Sequence, residues 1–165
     1  MTVDEIKSKL KQTLKENRYN HTIGVMETAK KLAQIYGEDE NKAEIAGLLH
    51  DCASEIRGEK LFELCEKYHI PVDDVSKAQP ELLHGPLGAK LAEEVFGIND
   101  ADILNAIYYH TTGRKNMSMI EKIIYIADVI EPLRDFEGVE EIRKEAMIDI
   151  DRAILLALDG SIRYV

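Results

Sequence analysis

The chain has no tryptophan, only two cysteines among its 165 residues, and no apolar run long enough to cross a bilayer. The missing tryptophan decides nothing. Cys52 and Cys65 are too few for a disulfide framework and too far apart for a zinc-knuckle pattern, and they suit a reducing compartment. A membrane span needs about 18 consecutive apolar residues, and the Lys- and Glu-studded N-terminus lacks a signal-peptide core. The expected setting is cytoplasmic, with no membrane partner. Neither proline nor glycine is frequent enough to suggest disorder. No Gly-rich phosphate loop, internal repeat or alternating strand-like segment is present. Positive charge is also in deficit, with 21 Lys and Arg against 31 Asp and Glu for a net charge of -10, which argues against nucleic acid as a partner.

What is present is helical periodicity. A hydrophobic content of 45% and a charged content of 32% describe a globular chain, expected as a single domain over residues 1–165 whose core buries roughly 70% of the unfolded surface. Val3, Ile6, Leu10 and Leu14 place a helix over 2–16, packed on the core. A second helical pattern runs from His21 to Gly37, and a third spans about 41–54, where Ala43, Ala46 and Gly47 allow another helix close. A short helix over 59–68 stops before Pro71, and Pro86 suits the first turn of the next, which closes at Gly97. Asp100 is placed to cap a helix ending near His110, and Ser118-x-x-Glu121 reads as a capping box. A last helix is expected over 139–158. The fold class is all-α.

Several of these apolar patterns are interrupted by groups that dislike burial. Leu48-Leu49 ends in His50-Asp51, Asp128 lies within Ile123-Ile124-Tyr125-Ile126-Ala127-Asp128-Val129-Ile130, and His21, His84 and His110 each stand beside an apolar stripe. Buried ionisable groups need compensation, and a metal supplies it. Each histidine alone is ordinarily a hydrogen-bonded core residue, and Asp128 alone could be satisfied by donors. Glu66 and His69 form a Glu-x-x-His pair, but at a helix end and without a second pair they read as a solvated terminus. Six ligands exceed what one open catalytic centre uses, whereas two cations sharing Asp51 employ them all. The mixed imidazole and carboxylate set suits iron or manganese better than magnesium or calcium. Two such cations bring about +4 against about -2 from Asp51 and Asp128, so an acidic protein could still hold an anionic substrate.

The ordered set His21, His50-Asp51, His84, His110 and Asp128 resembles the HD-domain metal-dependent phosphohydrolases in their form with two extra histidines. Tyr109-His110-Thr111-Thr112-Gly113-Arg114, the run from Glu121 to Asp128, and Glu131-Pro132-x-Arg134-x-Phe136-x-Gly138 are similar to the YqeK family within them. The resemblance covers nearly the whole chain from Arg18 onward. It implies a helical HD-domain bundle with a dinuclear site that hydrolyses diadenosine tetraphosphate symmetrically to two ADP, through a hydroxide generated at the metals. It implies that His21, His50, Asp51 and Asp128 surround one metal, while His84 and His110 hold the other with Asp51 bridging. Iron is the expected metal, with manganese, cobalt and nickel as alternatives, and ADP or GDP is the expected product-like ligand.

Beyond the metals, Asp51, His84, His110 and Arg134 are the expected catalytic residues, and Arg114, Arg134, Thr111 and Thr112 the expected substrate contacts. A planar guanidinium holds two phosphate oxygens at once. Lys115 and Arg57 are weaker candidates. Competing readings are an HD phosphohydrolase of nucleoside monophosphates or cyclic nucleotides, an oxygen-using di-iron oxidase, and a non-catalytic helical module. A homodimer is open.

Overall fold

A computed structural model describes residues 1–164. Ten α-helices follow one another among the described residues, with no strand: α1 (Val3–Thr13), α2 (Glu16–Tyr36), α3 (Glu40–Leu49), α4 (Gly58–Lys67), α5 (Asp74–Ala78), α6 (His84–Phe96), α7 (Ala101–Tyr109), α8 (Met119–Ile130), α9 (Val139–Ala146) and α10 (Ile150–Tyr164). A 3-10 turn, Pro80–Leu83, leads directly into α6. The caps follow from side-chain chemistry. Asp100 accepts from the Asp102 and Ile103 amides, and Ser118 and Glu121 form a reciprocal box at the start of α8.

Helix α8 is the hub of the packing. Ile120, Ile123, Ile124, Ile126 and Ala127 are buried on several of its faces, so it must be surrounded, and α2, α3, α7, α9 and α10 all pack on it. Ile6 and Leu10 of α1 join this core, and a smaller cluster of Ala53, Leu61, Cys65, Ile70, Leu83 and Leu87 sits under α4 and α6. Helices α2 and α3 cross closely because Gly47 has no side chain: a Cβ there would stand 2.8 Å from the Met26 Cα. That crossing sets the separation of His21 and His50.

Several boundaries differ from the sequence reading. Helix α1 stops at Thr13, and α2 begins at Glu16, ahead of His21, because Asn17 to Asn20 contain no helix breaker. His21 therefore lies in the second turn, inside the helix. Helix α3 ends at Leu49, so His50 and Asp51 leave it rather than lie along its side. The expected helix over 139–158 is two helices, since Asp149 accepts from the Asp151 and Arg152 amides and starts α10 afresh.

Candidate metal centre

Five elements deliver six donors to one place. His21 comes from α2, His50 and Asp51 from the end of α3, His84 from the first position of α6, His110 from the end of α7, and Asp128 from the last turn of α8. His50, Asp51 and His110 are almost wholly buried, and the Asp128 carboxylate is partly covered.

The imidazoles are oriented by the helix termini. His50 Nδ1 faces the Gly47 carbonyl at 2.7 Å, His110 Nδ1 faces the Ile107 carbonyl at 2.7 Å, and His84 Nδ1 faces that of Glu81. Each carbonyl lies three residues back, where a helix or turn has acceptors left over. A carbonyl only accepts, so each Nδ1 carries a proton and each Nε2 is the ring atom turned inward, donating to a carboxylate when protonated and offering a lone pair to a cation when not. His21 follows the same rule with a side chain: its Nδ1 lies 2.9 Å from Glu131 Oε1.

The inward atoms then face one another. Asp51 directs Oδ2 at His21 Nε2 (3.7 Å) and His50 Nε2 (3.4 Å), and Oδ1 at His84 Nε2 (3.2 Å) and His110 Nε2 (3.6 Å). Asp128 Oδ1 lies 3.0 Å from His21 Nε2 and 3.8 Å from His50 Nε2. His84 Nε2 and His110 Nε2 are 3.0 Å apart, two lone pairs that repel unless a cation or proton lies between them. His21 Nε2 and His50 Nε2 are enclosed with no aligned hydrogen-bond partner, which is costly for a polar atom. Three overlapping triplets, His21–His50–Asp51, His50–His110–Asp128 and Asp51–His84–His110, each bring their ligand atoms within 4.8 Å of one another. This donor set fits divalent cations.

Charge follows the same design. Burial would raise the Asp51 carboxyl, but His50, His110 and His84 outweigh it and hold the group well below the ordinary carboxylate range. Asp128 is likewise pushed up by burial and pulled further down by His21, His50 and His110. Both are ionised at neutral pH.

Two residues that the sequence reading passed over complete the site. Arg18 Nη1 donates to Asp51 Oδ2 at 2.8 Å, and Glu131, 1% exposed, carries the His21 contact. Glu131 was legible only as the first residue of the Glu131-Pro132-x-Arg134 motif, with no role assigned. Arg134 folds back on Asp128, donating from Nε to its carbonyl at 2.9 Å and from Nη2 to Oδ1 at 2.8 Å. Thr111 Oγ1 lies 3.1 Å from His110 Nε2 and 3.4 Å from His84 Nε2. Thr112 bonds locally to the Gly113 carbonyl. Arg114 gives both arms of its fork to buried Glu121, at 2.8 and 2.7 Å, and stacks on Tyr109. His69 is exposed in a left-handed backbone conformation.

A cavity of about 290 Å³ opens onto Asp51 and His84. Arg18, Arg57 and Ser54 supply polar walls, and Ile56, Leu61 and Pro80 apolar ones.

A helical bundle that hangs histidines and aspartates from its helix ends in this order is an HD-type metal site, and the chain belongs to the HD domain family, whose pattern matches residues 18–133. Its relatives narrow the class. A protein of Halalkalibacterium halodurans named bis(5'-nucleosyl)-tetraphosphatase, symmetrical, is 46% identical over 156 residues, 94% of this chain and 83% of its own length. A Bacillus subtilis protein of the same name is 42% identical over 165 residues, 100% of this chain and 88% of its own. The crystal structure of a predicted HD superfamily hydrolase involved in NAD metabolism, from Clostridium acetobutylicum, superposes with a TM-score of 0.96 at 51% identity, covering 100% of this chain and 87% of that one. No helix among the described residues is long and apolar enough to cross a membrane.

Proposed function

We propose that the protein cleaves diadenosine tetraphosphate and related dinucleoside polyphosphates symmetrically, giving two ADP from the former. The observation that carries this reading is Asp51, which turns one oxygen to His21 and His50 and the other to His84 and His110. The names of the relatives support the substrate class. In this reading His21, His50, Asp51 and Asp128 hold one divalent cation, and His84, His110 and Asp51 hold the other. The donor set suits iron, with manganese, cobalt or nickel able to substitute. Bound there, the pair lowers the pKa of water and neutralises phosphate charge.

The chain's own groups do the rest. Arg18 on Asp51 and Arg134 on Asp128 each keep a partly exposed guanidinium beside the donor cluster, and bind the phosphates that flank the scissile bridge. Thr111 offers a hydroxyl at the His84–His110 side. The apolar walls of the adjoining cavity shelter one nucleoside, and Arg57 on its rim meets phosphate. Arg114 holds the 110–118 loop through Glu121 and Tyr109. Water oxygen bonds to a central phosphorus as the bridging P–O bond opposite breaks; one ADP keeps the new oxygen, the other departs with the bridging oxygen and its electron pair, and the water's protons pass to solvent.

Product analysis tests this directly. Purified protein, prepared under reducing, anaerobic conditions and assayed for metal content, is given a panel of nucleotides. Two ADP per diadenosine tetraphosphate supports the proposal. Phosphate and nucleoside from a monophosphate, with the dinucleotide untouched, would replace it with the monophosphatase reading.

A further inference from the structure

Arg143 takes no part in the centre described above and lies beyond the residues matched to the HD family, yet it is tied to the backbone next to it. Its Nε donates to the Ile130 carbonyl at 2.8 Å, and its Nη2 to the carbonyls of Glu131 at 2.8 Å and Arg134 at 2.7 Å. Nη1 is left for exposed Glu140. The last carbonyls of α8 have no donors from their own helix, and Pro132 has no N–H to offer. One planar fork from α9 serves the Ile130 and Arg134 carbonyls and adds a second donor to that of Glu131, which also accepts from the Arg134 amide at 2.9 Å.

The turn so held carries two side chains that reach the donor cluster. Glu131 receives His21 Nδ1–H on Oε1 at 2.9 Å and the Leu133 amide on Oε2 at 2.8 Å. Gly24 of α2 lies directly beneath, where a Cβ would come within 2.5 Å of Oε2, so the carboxylate has no slack on that side. Arg134 grips Asp128 through both its carbonyl and its carboxylate. His21 and Asp128 face each other across 3.0 Å and belong to the same half of the cluster.

We infer that Arg143 is a positioning residue: by clamping the Ile130–Arg134 turn it holds Glu131 against His21 and Arg134 against Asp128, and so sets one half of the cation site and one phosphate contact. The inference rests on the dinuclear reading. A guanidinium is required because one rigid fork must meet three carbonyls, which a lysine ammonium on a flexible stem does not reproduce. Residues that orient metal ligands from behind typically change affinity by roughly 10- to 100-fold when removed.

The test compares Arg143→Ala, Arg143→Lys and, as a control, Glu140→Gln, which alters only the exposed Nη1 partner. Chelator-treated protein is titrated calorimetrically with Mn²⁺, and KM, kcat and the unfolding temperature are measured on reloaded protein. Arg143→Ala is expected to weaken Mn²⁺ at one of two sites by about tenfold and to raise KM. Arg143→Lys is expected to regain unfolding temperature without regaining Mn²⁺ affinity, and Glu140→Gln to match wild type. A lowered unfolding temperature with Mn²⁺ affinity and KM within twofold of wild type makes Arg143 a helix cap only and overturns the inference. Should the alanine variant not fold, the lysine variant carries the same comparison. Wild-type protein that takes up no Mn²⁺ fails at the earlier step, the dinuclear centre itself.

Discussion

Arg18 donates to Asp51 across 2.8 Å, so the carboxylate oxygen that faces His21 and His50 already has a positive partner from α2. A cation on that oxygen must share it with the guanidinium or displace it. Arg18→Ala is therefore expected to leave cation affinity unchanged or tighter, while raising KM for the dinucleotide by roughly 10- to 100-fold, since a hydrogen bond to a charged group contributes about 1.5–3 kcal/mol. Metal titration and steady-state kinetics check it. Loss of metal in this variant would mean that Arg18 supports the site instead of neighbouring it.

Asp51→Asn keeps the shape of the side chain but replaces one oxygen with a donor that repels a cation. Turnover should fall by more than about 100-fold, beyond what an outer partner of a metal ligand costs. Helix content by circular dichroism should hold. Retained activity would contradict a bridging carboxylate.

Arg134→Ala removes a partly exposed guanidinium that otherwise lies on Asp128. A KM increase of roughly 10-fold, with two metals per chain still present, is the expected result. Metal loss with KM unchanged would assign Arg134 to the site's framework and not to phosphate.

Burial works against protonation of His21, but the Asp128 and Glu131 carboxylates outweigh it and hold the imidazolium above the ordinary 6.5. A protonated ring has no lone pair for a cation, so binding expels a proton. Mn²⁺ affinity should therefore fall as pH drops through that raised value. The sign for the chelated protein is the reverse: stability from this histidine is fully present below 6.5 and is lost as pH rises through the raised value. Calorimetric titrations from about pH 6 to about pH 8, in buffers of different ionisation enthalpy, count the proton. Affinity flat across that range would remove His21 from the ligands.

Gly47→Ala puts a methyl group 2.8 Å from the Met26 Cα, and backbone cannot yield as a side chain would. Overpacking of this kind costs about 1–3 kcal/mol. A fall in unfolding temperature should be accompanied by weaker metal uptake, because the crossing that widens also carries His21 and His50. Unchanged values for both would show that α2 and α3 separate freely.

Much of this was legible from local chemistry. Asp100 and Ser118 cap where their side chains dictate, Gly37 and Gly97 end helices in the left-handed conformation they tolerate, and six ionisable groups on apolar patterns converge. The misread boundaries share one cause: a polar residue can sit on a helix or cap one, and periodicity does not separate the two. Asp149 caps, and the expected last helix divides there. Arg18 and Glu131 act at distances of 33 and 110 residues along the chain, so nothing near them in sequence points to their partners. Glu121 was visible as a capping residue, but its bidentate hold on Arg114 arises only when the loop folds back.

Three of the rings in the donor cluster, those of His50, His84 and His110, are also bonded through Nδ1 to the final carbonyls of a helix or turn. A ring drawn inward by a smaller ion must stretch that bond or pull the end of its element along. In the proposed dinuclear centre, ionic radius would thereby be coupled to the ends of α3 and α7 and to the turn that opens α6, and the choice of ion would become a mechanical setting of the scaffold as well as a chemical one.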